Sequence, residues 1–338
     1  MTQPPAAFAL EPHGKASSPV HRFSHNAMAS FFEVIIAGQD QRYARQAADA
    51  AFDECDRLER ELSRFIPGSD VSRINGLAAG EHVRVGVATM ECLTASARVN
   101  AETDGVFDVT VGALMACFRG KDGAMRQPSA EEIAAARKRT GMHLLDIRPG
   151  EFLVGVRADG VKIDLGGVGK GYAVDQMMAV LREWGIASAL VHGGMSSVLA
   201  IGAPAGRNGW LVSLRLPEGP QDDLGTILLR DRSLSGSAQP PGRGHIIDPR
   251  TATLAAGPVA TWAAADTATL TDCLSTAFFI LKPGEVEEYC RRHPGAGGIV
   301  VVKDSSGRKV LRYGEWGGFA EPKAYRGHRS AVAANGDE

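Results

Sequence analysis

Four short segments of the chain carry residue types able to do chemistry. In Asp164-Leu-Gly-Gly-Val-Gly-Lys-Gly-Tyr-Ala-Val-Asp175, a strand-like run ends at Asp164, a glycine-rich turn follows, and a helical pattern starts at about Lys170. A helix N-terminus presents unpaired N–H groups and a partial positive charge, which suits a phosphate. Lys170 adds a point charge, and the glycines let a diphosphate approach the backbone. The spacing is neither Walker A nor G-x-G-x-x-G, so the segment reads equally as an anion site or as a tight strand-to-helix turn. In Thr271-Asp272-Cys-Leu-Ser-Thr276, Asp272 and Thr276 are four residues apart and share one face of an apolar helix. A carboxylate on a buried face has to be paired or to coordinate a metal, and an all-oxygen set suits a hard cation such as Mg²⁺. The plainer alternative is that Thr271 and Asp272 cap the helix start.

The third segment, His245-Ile-Ile-Asp248-Pro249-Arg-Thr251, is a polar turn. Its histidine is either a proton carrier or an ordinary surface residue, and Asp248-Pro249 starts a turn. The fourth, Thr103-Asp-Gly105-Val-Phe-Asp108-Val-Thr110-Val-Gly112, is a glycine turn feeding a helix, with Asp108 or Thr110 as its N-cap.

The elements that must position these segments follow from periodicity. Phe31–Ile36 is a β-rich run. Ala44, Ala48, Ala51, Phe52, Cys55, Leu58, Leu62 and Phe65 recur at helical spacing and predict a helix over Gln41–Phe65, stopped by Pro67-Gly68. Ser69 or Asp70 caps a short helix through Asn75, and Val87–Thr103 is a second amphipathic helix. Ser129-Ala-Glu-Glu132 is a capping box for a helix that ends at Gly141. Three strand-like runs, His143–Ile147, Glu151–Val156 and Gly160–Leu165, read as an antiparallel meander with turns at Pro149-Gly150 and Asp159-Gly160. After a helix from Gly169 to Trp184, strands are expected near Ala189–Val191, Val198–Ile201, Leu211–Leu216 and Thr226–Leu229. Thr269–Leu281 is an apolar helix and Gly298–Val302 a late strand. Meanders mixed with separate helices predict an α+β fold with mixed, largely antiparallel sheets rather than a doubly wound parallel sheet.

Composition narrows the classes. With 338 residues, 44% of them hydrophobic and 22% charged, the chain can bury a full enzyme core. A net charge of −2 gives no electrostatic reason to expect nucleic acid or an anionic membrane as partner. The five cysteines are scattered and form no C-x-x-C pair, which argues against a disulfide framework or a zinc site. Residues 1–22 carry no basic stretch followed by a long apolar run, and read as a loose leader. Residues 322–338 read as a flexible tail, leaving 23–321 as a single domain expected in the cytoplasm.

The order of the motifs says more than any one of them. The sequence resembles the FAD:protein FMN transferase family, the ApbE-like proteins. A Met-Gly-Thr-like start is matched by Met28-Ala-Ser30, and the family's "LS-aromatic…S-x-(I/L)-x-x-(I/L)-N" by Leu62–Phe65 with Asp70–Asn75. "TDGxFDxTVGxL" is matched by Thr103–Leu114, "DLGGxxKGYAVD" by Asp164–Asp175, "HIIDPRT" by His245–Thr251 and "DxxST" by Asp272–Thr276. The chain departs from the family's "V-N-x-G-G-(D/N)-I" at Val191-His-Gly-Gly-Met-Ser-Ser197.

The resemblance implies an ApbE-like α+β fold with FAD in a cleft and Mg²⁺ bridging protein oxygens and the FAD diphosphate. Asp272, Thr276 and a carbonyl at Gly167 would hold the metal. Met28, Phe65, Val106, Phe107, Asp108, Asp164, Lys170 and Ile247 would line the FAD, and His245 would take the acceptor's proton. It further implies transfer of FMN to a Thr or Ser of an acceptor protein with release of AMP. Two alternatives use the same residues: an FAD pyrophosphatase giving FMN and AMP, and a non-catalytic FAD-binding protein.

Overall fold

The computed structural model describes residues 8–10, 19–120, 124–194, 196–216, 223–239, 246–304, 307–316 and 319–320. Alternation of side chains across a pleated strand decides where the core sits. In β3 (Ser30–Ala37), Phe32, Val34 and Ile36 enter one apolar cluster while Ile35 and Ala37 enter another. β3 pairs with β2 (Val20–Ala27) on one side and β7 (Ala189–Gly193) on the other. Beyond β7 the sheet continues through β8 (Ser197–Ile201), β11 (Arg232–Ala238), β14 (Ala260–Ala265), β15 (Gly297–Asp304) and β16 (Gly307–Gly314). All of these pairings are antiparallel.

One face of this eight-stranded sheet carries the helices. α1 (Gln41–Leu62) starts at Asp40, whose side chain accepts the N–H groups of Arg42 and Tyr43, and it buries the predicted alanine-rich stripe. α3 (Val87–Glu102), α6 (Gly169–Glu183) and α7 (Ala268–Ile280) complete that layer. The short helix α2 (Asp70–Ile74) follows α1 with Ser69 as N-cap, and α8 (Pro283–Arg292) follows α7. The other face packs Leu190, Val198, Leu234 and Trp262 against a second sheet of β1 (Phe8–Leu10), β9 (Trp210–Arg215), β10 (Asp223–Leu229) and β17 (Phe319–Ala320). Helices, large sheet and small sheet form three layers, the α+β arrangement expected.

Smaller pieces close the ends. β4 (His82–Arg84), β6 (Leu153–Val156) and β5 (Leu145–Arg148) make a three-stranded sheet in that order. β12 (Ile247–Asp248) and β13 (Thr253–Leu254) form a hairpin beside α4 (Gly112–Cys117) and α5 (Ala130–Arg137), the latter opened by the predicted Ser129–Glu132 capping box. Asp248 Oδ1 accepts the Arg250 N–H at 2.9 Å, the turn its sequence suggested. No helix among the described residues is long and apolar enough to cross a membrane.

Three expectations are corrected. The third strand of the meander is His82–Arg84, from earlier in the chain. Residues 160–165 instead run beside residues 109–112, where Asp164 N–H bonds the Val109 carbonyl and Gly112 N–H bonds the Lys162 carbonyl. In that position Asn75 grips Ile163 by both its N–H (2.6 Å) and its carbonyl (3.0 Å). Asp108 and Thr110 do not cap α4, whose N-cap is Val111 with no side-chain bond. Finally, strands begin before residue 23: β1 pairs with β9, and β2 starts at Val20.

The start of α7 shows a device the sequence concealed. Thr267 is its N-cap, and Asp175 of α6 reaches across to accept the N–H groups of Ala268 and Thr269 at 2.8 Å each and the Thr269 hydroxyl at 2.5 Å. The last residue of the Asp164–Asp175 motif is thus an external cap, which docks α6 onto α7. Burial raises the Asp175 pKa, with the Thr269 and Ala268 bonds opposing it. The folded protein therefore holds this proton more tightly than the unfolded chain, and the group's contribution to stability falls as pH rises through its folded pKa. Asp175→Ala leaves three donors without their acceptor and is expected to cost about 2 kcal/mol. Urea unfolding measures this, and an unchanged midpoint would contradict it.

Candidate active site

A cleft of about 360 Å³ opens where the β2–β3 turn, the segment after α3, the glycine-rich turn before α6, and α7 converge. The two-residue turn Met28-Ala29 has φ of 51° and 54°, a left-handed pair normally given to Asn-Gly. For non-glycine residues that conformation costs roughly 1 kcal/mol or more each. Both residues line the cleft, so the strain sits at its wall.

The cleft floor comes from the Thr103–Gly112 segment. Gly105, at φ +77°, turns the chain, and Asn100 Nδ2 holds the Phe107 carbonyl at 2.7 Å. Val106 and Phe107 are thereby buried, at 1% and 3% exposed. Asp108 Oδ1 accepts the Thr110 N–H (2.7 Å) and hydroxyl (2.6 Å), while its Oδ2 accepts the Met142 N–H at 3.2 Å. Burial raises its pKa against the pull of those bonds. Asp108 therefore anchors the floor to the 141–142 loop as well as facing the cleft.

The glycine-rich turn supplies one wall. Asp164 Oδ1 accepts the Gly166 N–H at 2.7 Å, and its Oδ2 pairs with Arg64 Nε at 3.1 Å. The Arg64 guanidinium also lies over the Phe65 ring, 4.5 Å from its centroid. Phe65 is 76% exposed and does not line the cleft; it stands outside Asp164, linked to it by Arg64. Lys170 donates to the Gly166 carbonyl at 3.0 Å. Gly194 leaves room for it, since a Cβ there would lie 3.1 Å from Lys170 Cδ.

Asp272 lies in the second turn of α7, which excludes the helix-cap reading. It is 4% exposed, and one donor reaches each carboxylate oxygen: Gly171 N–H to Oδ2 at 3.0 Å and the Ser197 hydroxyl to Oδ1 at 3.1 Å. Thr276 lies one turn further along the same face, its Oγ1 directed to the Asp272 carbonyl at 3.4 Å. The glycine-rich turn comes close beside it: a Cβ on Gly167 would sit 3.3 Å from Thr276 Oγ1 and 3.1 Å from the Phe107 ring. Among the described residues, no trio of His, Cys, Asp or Glu side chains gathers for a metal. A cation in this cleft would instead be held by a mixed set of carboxylate, hydroxyl and backbone oxygens, the hard donors that Mg²⁺ takes. The residues present fit that ion.

The rest of the α7 face is satisfied by hydroxyls of β11. Thr271 Oγ1 meets Ser233 and Ser235 at 2.8 Å each, and Ser237 meets Ser275 at 2.9 Å. This polar seam fixes the height of α7 over the sheet, and Ser237 extends it into the cleft.

One cleft thus gathers Met28, Val106, Phe107, Asp108, Asp164, Gly167, Lys170, Ile247, Asp272 and Thr276. His245 lies outside the described residues; its neighbour Ile246 lines the cleft. Sequence reasoning missed Ser30, Gly194, Ser196 and Ser237 as lining residues, and Arg64 and Ser197 as partners of the two acids. Small residues and serines carry little signal in a single sequence; only the departure at Val191–Ser197 drew attention to part of this set.

The model of the ApbE family matches residues 28–300. The FAD:protein FMN transferase of Klebsiella pneumoniae is 28% identical over 300 residues, covering 84% of each chain. The apo crystal structure of Pseudomonas stutzeri flavinyl transferase ApbE superposes with a TM-score of 0.78 at 25% identity, over 88% of this chain and 95% of that one. The ApbE protein of Thermotoga maritima gives a TM-score of 0.78 at 28% identity, over 87% and 97%.

Proposed function

Because the chain belongs to the ApbE family, we propose that its cleft binds FAD together with Mg²⁺ and that it transfers the FMN half of FAD to a Thr or Ser hydroxyl of an acceptor protein, releasing AMP. The chain is a transferase, of the flavin-transferring kind its relatives' names describe. The observation that carries the finer reading is the convergence of Asp272, Thr276 and the Gly167 turn beside Lys170 in a single cleft.

Phosphoryl transfer asks chiefly for positioning and charge neutralisation. Asp272, Thr276 and a carbonyl at Gly167 would hold the cation, which supplies charge neutralisation on the diphosphate when bound. Lys170, at the start of α6, adds its charge, while the Gly169 and Gly171 N–H groups of that helix are already taken by the Leu165 carbonyl and Asp272. Val106 and Phe107 exclude water from the floor, and Met28 and Ile247 contribute apolar contacts to the flavin nucleotide. Phe65 serves at the mouth, its ring backed by Arg64. The acceptor oxygen attacks the riboflavin-bearing phosphorus, the phosphorus–AMP bond breaks, and the hydroxyl proton passes to His245. That residue precedes Ile246 of the cleft wall. His245→Ala is expected to leave FAD bound while slowing transfer about a hundredfold; an unchanged rate would retire His245 as the base.

The test is to incubate the enzyme with FAD, Mg²⁺ and a peptide carrying a flavinylation-type Ser/Thr motif, and to follow peptide mass and AMP. AMP with a peptide gain of one FMN supports the transferase. AMP with free FMN and unmodified peptide would instead make the enzyme an FAD pyrophosphatase.

A further inference from the structure

We propose that Ser197 is the positioning residue for Asp272 and thereby sets the enzyme's affinity for its divalent cation. The inference rests on the metal reading given above and extends it to a residue in the segment that departs from the family's pattern.

A carboxylate side chain is free to turn. Rotation about the Cβ–Cγ bond of an aspartate is broad, so a helix alone does not fix which way its oxygens face. Here two donors fix it. Gly171 N–H, from the first turn of α6, takes Oδ2, and the Ser197 hydroxyl, from the first residue of β8, takes Oδ1. Each oxygen accepts one bond and retains a lone pair for a cation. Helix α6, helix α7 and strand β8 therefore meet at one side chain.

Ser197 is suited to this task by its surroundings. It is 0% exposed, and it is paired in register with Gly193 on one neighbouring strand and Ser235 on the other. Its Cα is held from both sides by sheet ladders. The alternation of β8 turns Ser197 to the helix face, whereas its neighbour Val198 turns to the opposite cluster. Gly171 contributes a backbone donor, so the hydroxyl of Ser197 is the side-chain donor on which the orientation of Asp272 depends. Residues that orient a metal ligand through a hydrogen bond typically alter metal affinity by about 10–100-fold when removed.

The experiment titrates Mg²⁺ onto the full-length enzyme in the presence of FAD, reading the thermal unfolding midpoint and, separately, AMP release. Ser197→Ala is expected to need about tenfold or more Mg²⁺ for half-saturation in both readouts. The KM for FAD at saturating Mg²⁺ should stay at its wild-type value, a split that general loosening of the core would not produce. Ser197→Thr, which keeps a hydroxyl, should restore the wild-type Mg²⁺ response. Half-saturation of Ser197→Ala at the wild-type Mg²⁺ concentration, or a Thr variant as impaired as the Ala variant, overturns the proposal. Should Ser197→Ala not fold, Ser197→Cys has a similar shape with a weaker donor. A rise in its Mg²⁺ requirement supports the role, and an unchanged requirement overturns it. A wild-type enzyme whose midpoint ignores Mg²⁺ overturns the metal reading as well, whereas a wild type that responds alongside an unaltered Ser197→Ala overturns only this inference.

Discussion

Asp272→Asn is expected to lower turnover of FAD by about 10³-fold at any Mg²⁺ concentration. The charge lost would be the one carboxylate in the proposed donor set, otherwise a hydroxyl and a backbone oxygen, and charge neutralisation of a diphosphate is worth several kcal/mol, or roughly a thousandfold. Asn is the informative substitution because it keeps the volume of a side chain that is 4% exposed. The amide oxygen still accepts from either Gly171 or Ser197, but the amide nitrogen faces the other donor. A stability loss of about 1–2 kcal/mol accompanies the substitution, well short of unfolding the protein. Steady-state kinetics with Mg²⁺ titrated, beside a urea unfolding curve, separates the two effects. Turnover near wild type would remove Asp272 from the metal site.

Gly171→Ala is the second large effect, and it acts through the fold. A Cβ on Gly171 would lie 2.1 Å from the Ala268 carbonyl oxygen, 2.6 Å from its carbon and 2.7 Å from Asp272 Cβ. Two of these three atoms are backbone, so no side chain can swing aside. Helices α6 and α7 must separate, which strains the Asp175 cap at Ala268 and pulls the Gly171 N–H from Asp272. Overpacking against backbone costs about 3 kcal/mol, and the cleft loses its geometry at the same time. A thermal midpoint that stays at the wild-type value would show that the helices do not approach as closely as described.

Much of this arrangement was legible from residue order. The long helix over residues 41–62, the capping box at Ser129, the meander around Pro149 and the helix carrying Asp272 all follow strong local patterns. β11 and β14 did not, for a physical reason. Their sequences, RSLSGSA and ATWAAA, are built of small residues with little strand propensity, and neither alternates apolar with charged. They become strands because α7 lies directly on them and needs small side chains and hydroxyl partners beneath it. The Asp272–Thr276 pair was visible as spacing, yet setting aside the cap reading required knowing that Thr267 and Asp175 already satisfy the helix start. Phe65 shows the opposite case. Its helical spacing suggested a buried stripe, but α1 stops at Leu62, and Phe65 projects outward with its ring against Arg64. Long-range pairs such as Arg64–Asp164 and Ser197–Asp272 join residues 100 and 75 positions apart, and leave no trace in local pattern.

The central claim, that one cleft holds a divalent cation between Asp272, Thr276 and the Gly167 turn against the diphosphate of FAD, is tested most directly by anomalous diffraction. Crystals of the enzyme grown with FAD and Mn²⁺ in place of Mg²⁺ should show a manganese peak within bonding distance of the Asp272 carboxylate, the Thr276 hydroxyl and the Gly167 carbonyl, with a phosphate oxygen completing the set. FAD bound in the cleft with manganese elsewhere, or with no manganese at all, would contradict the account.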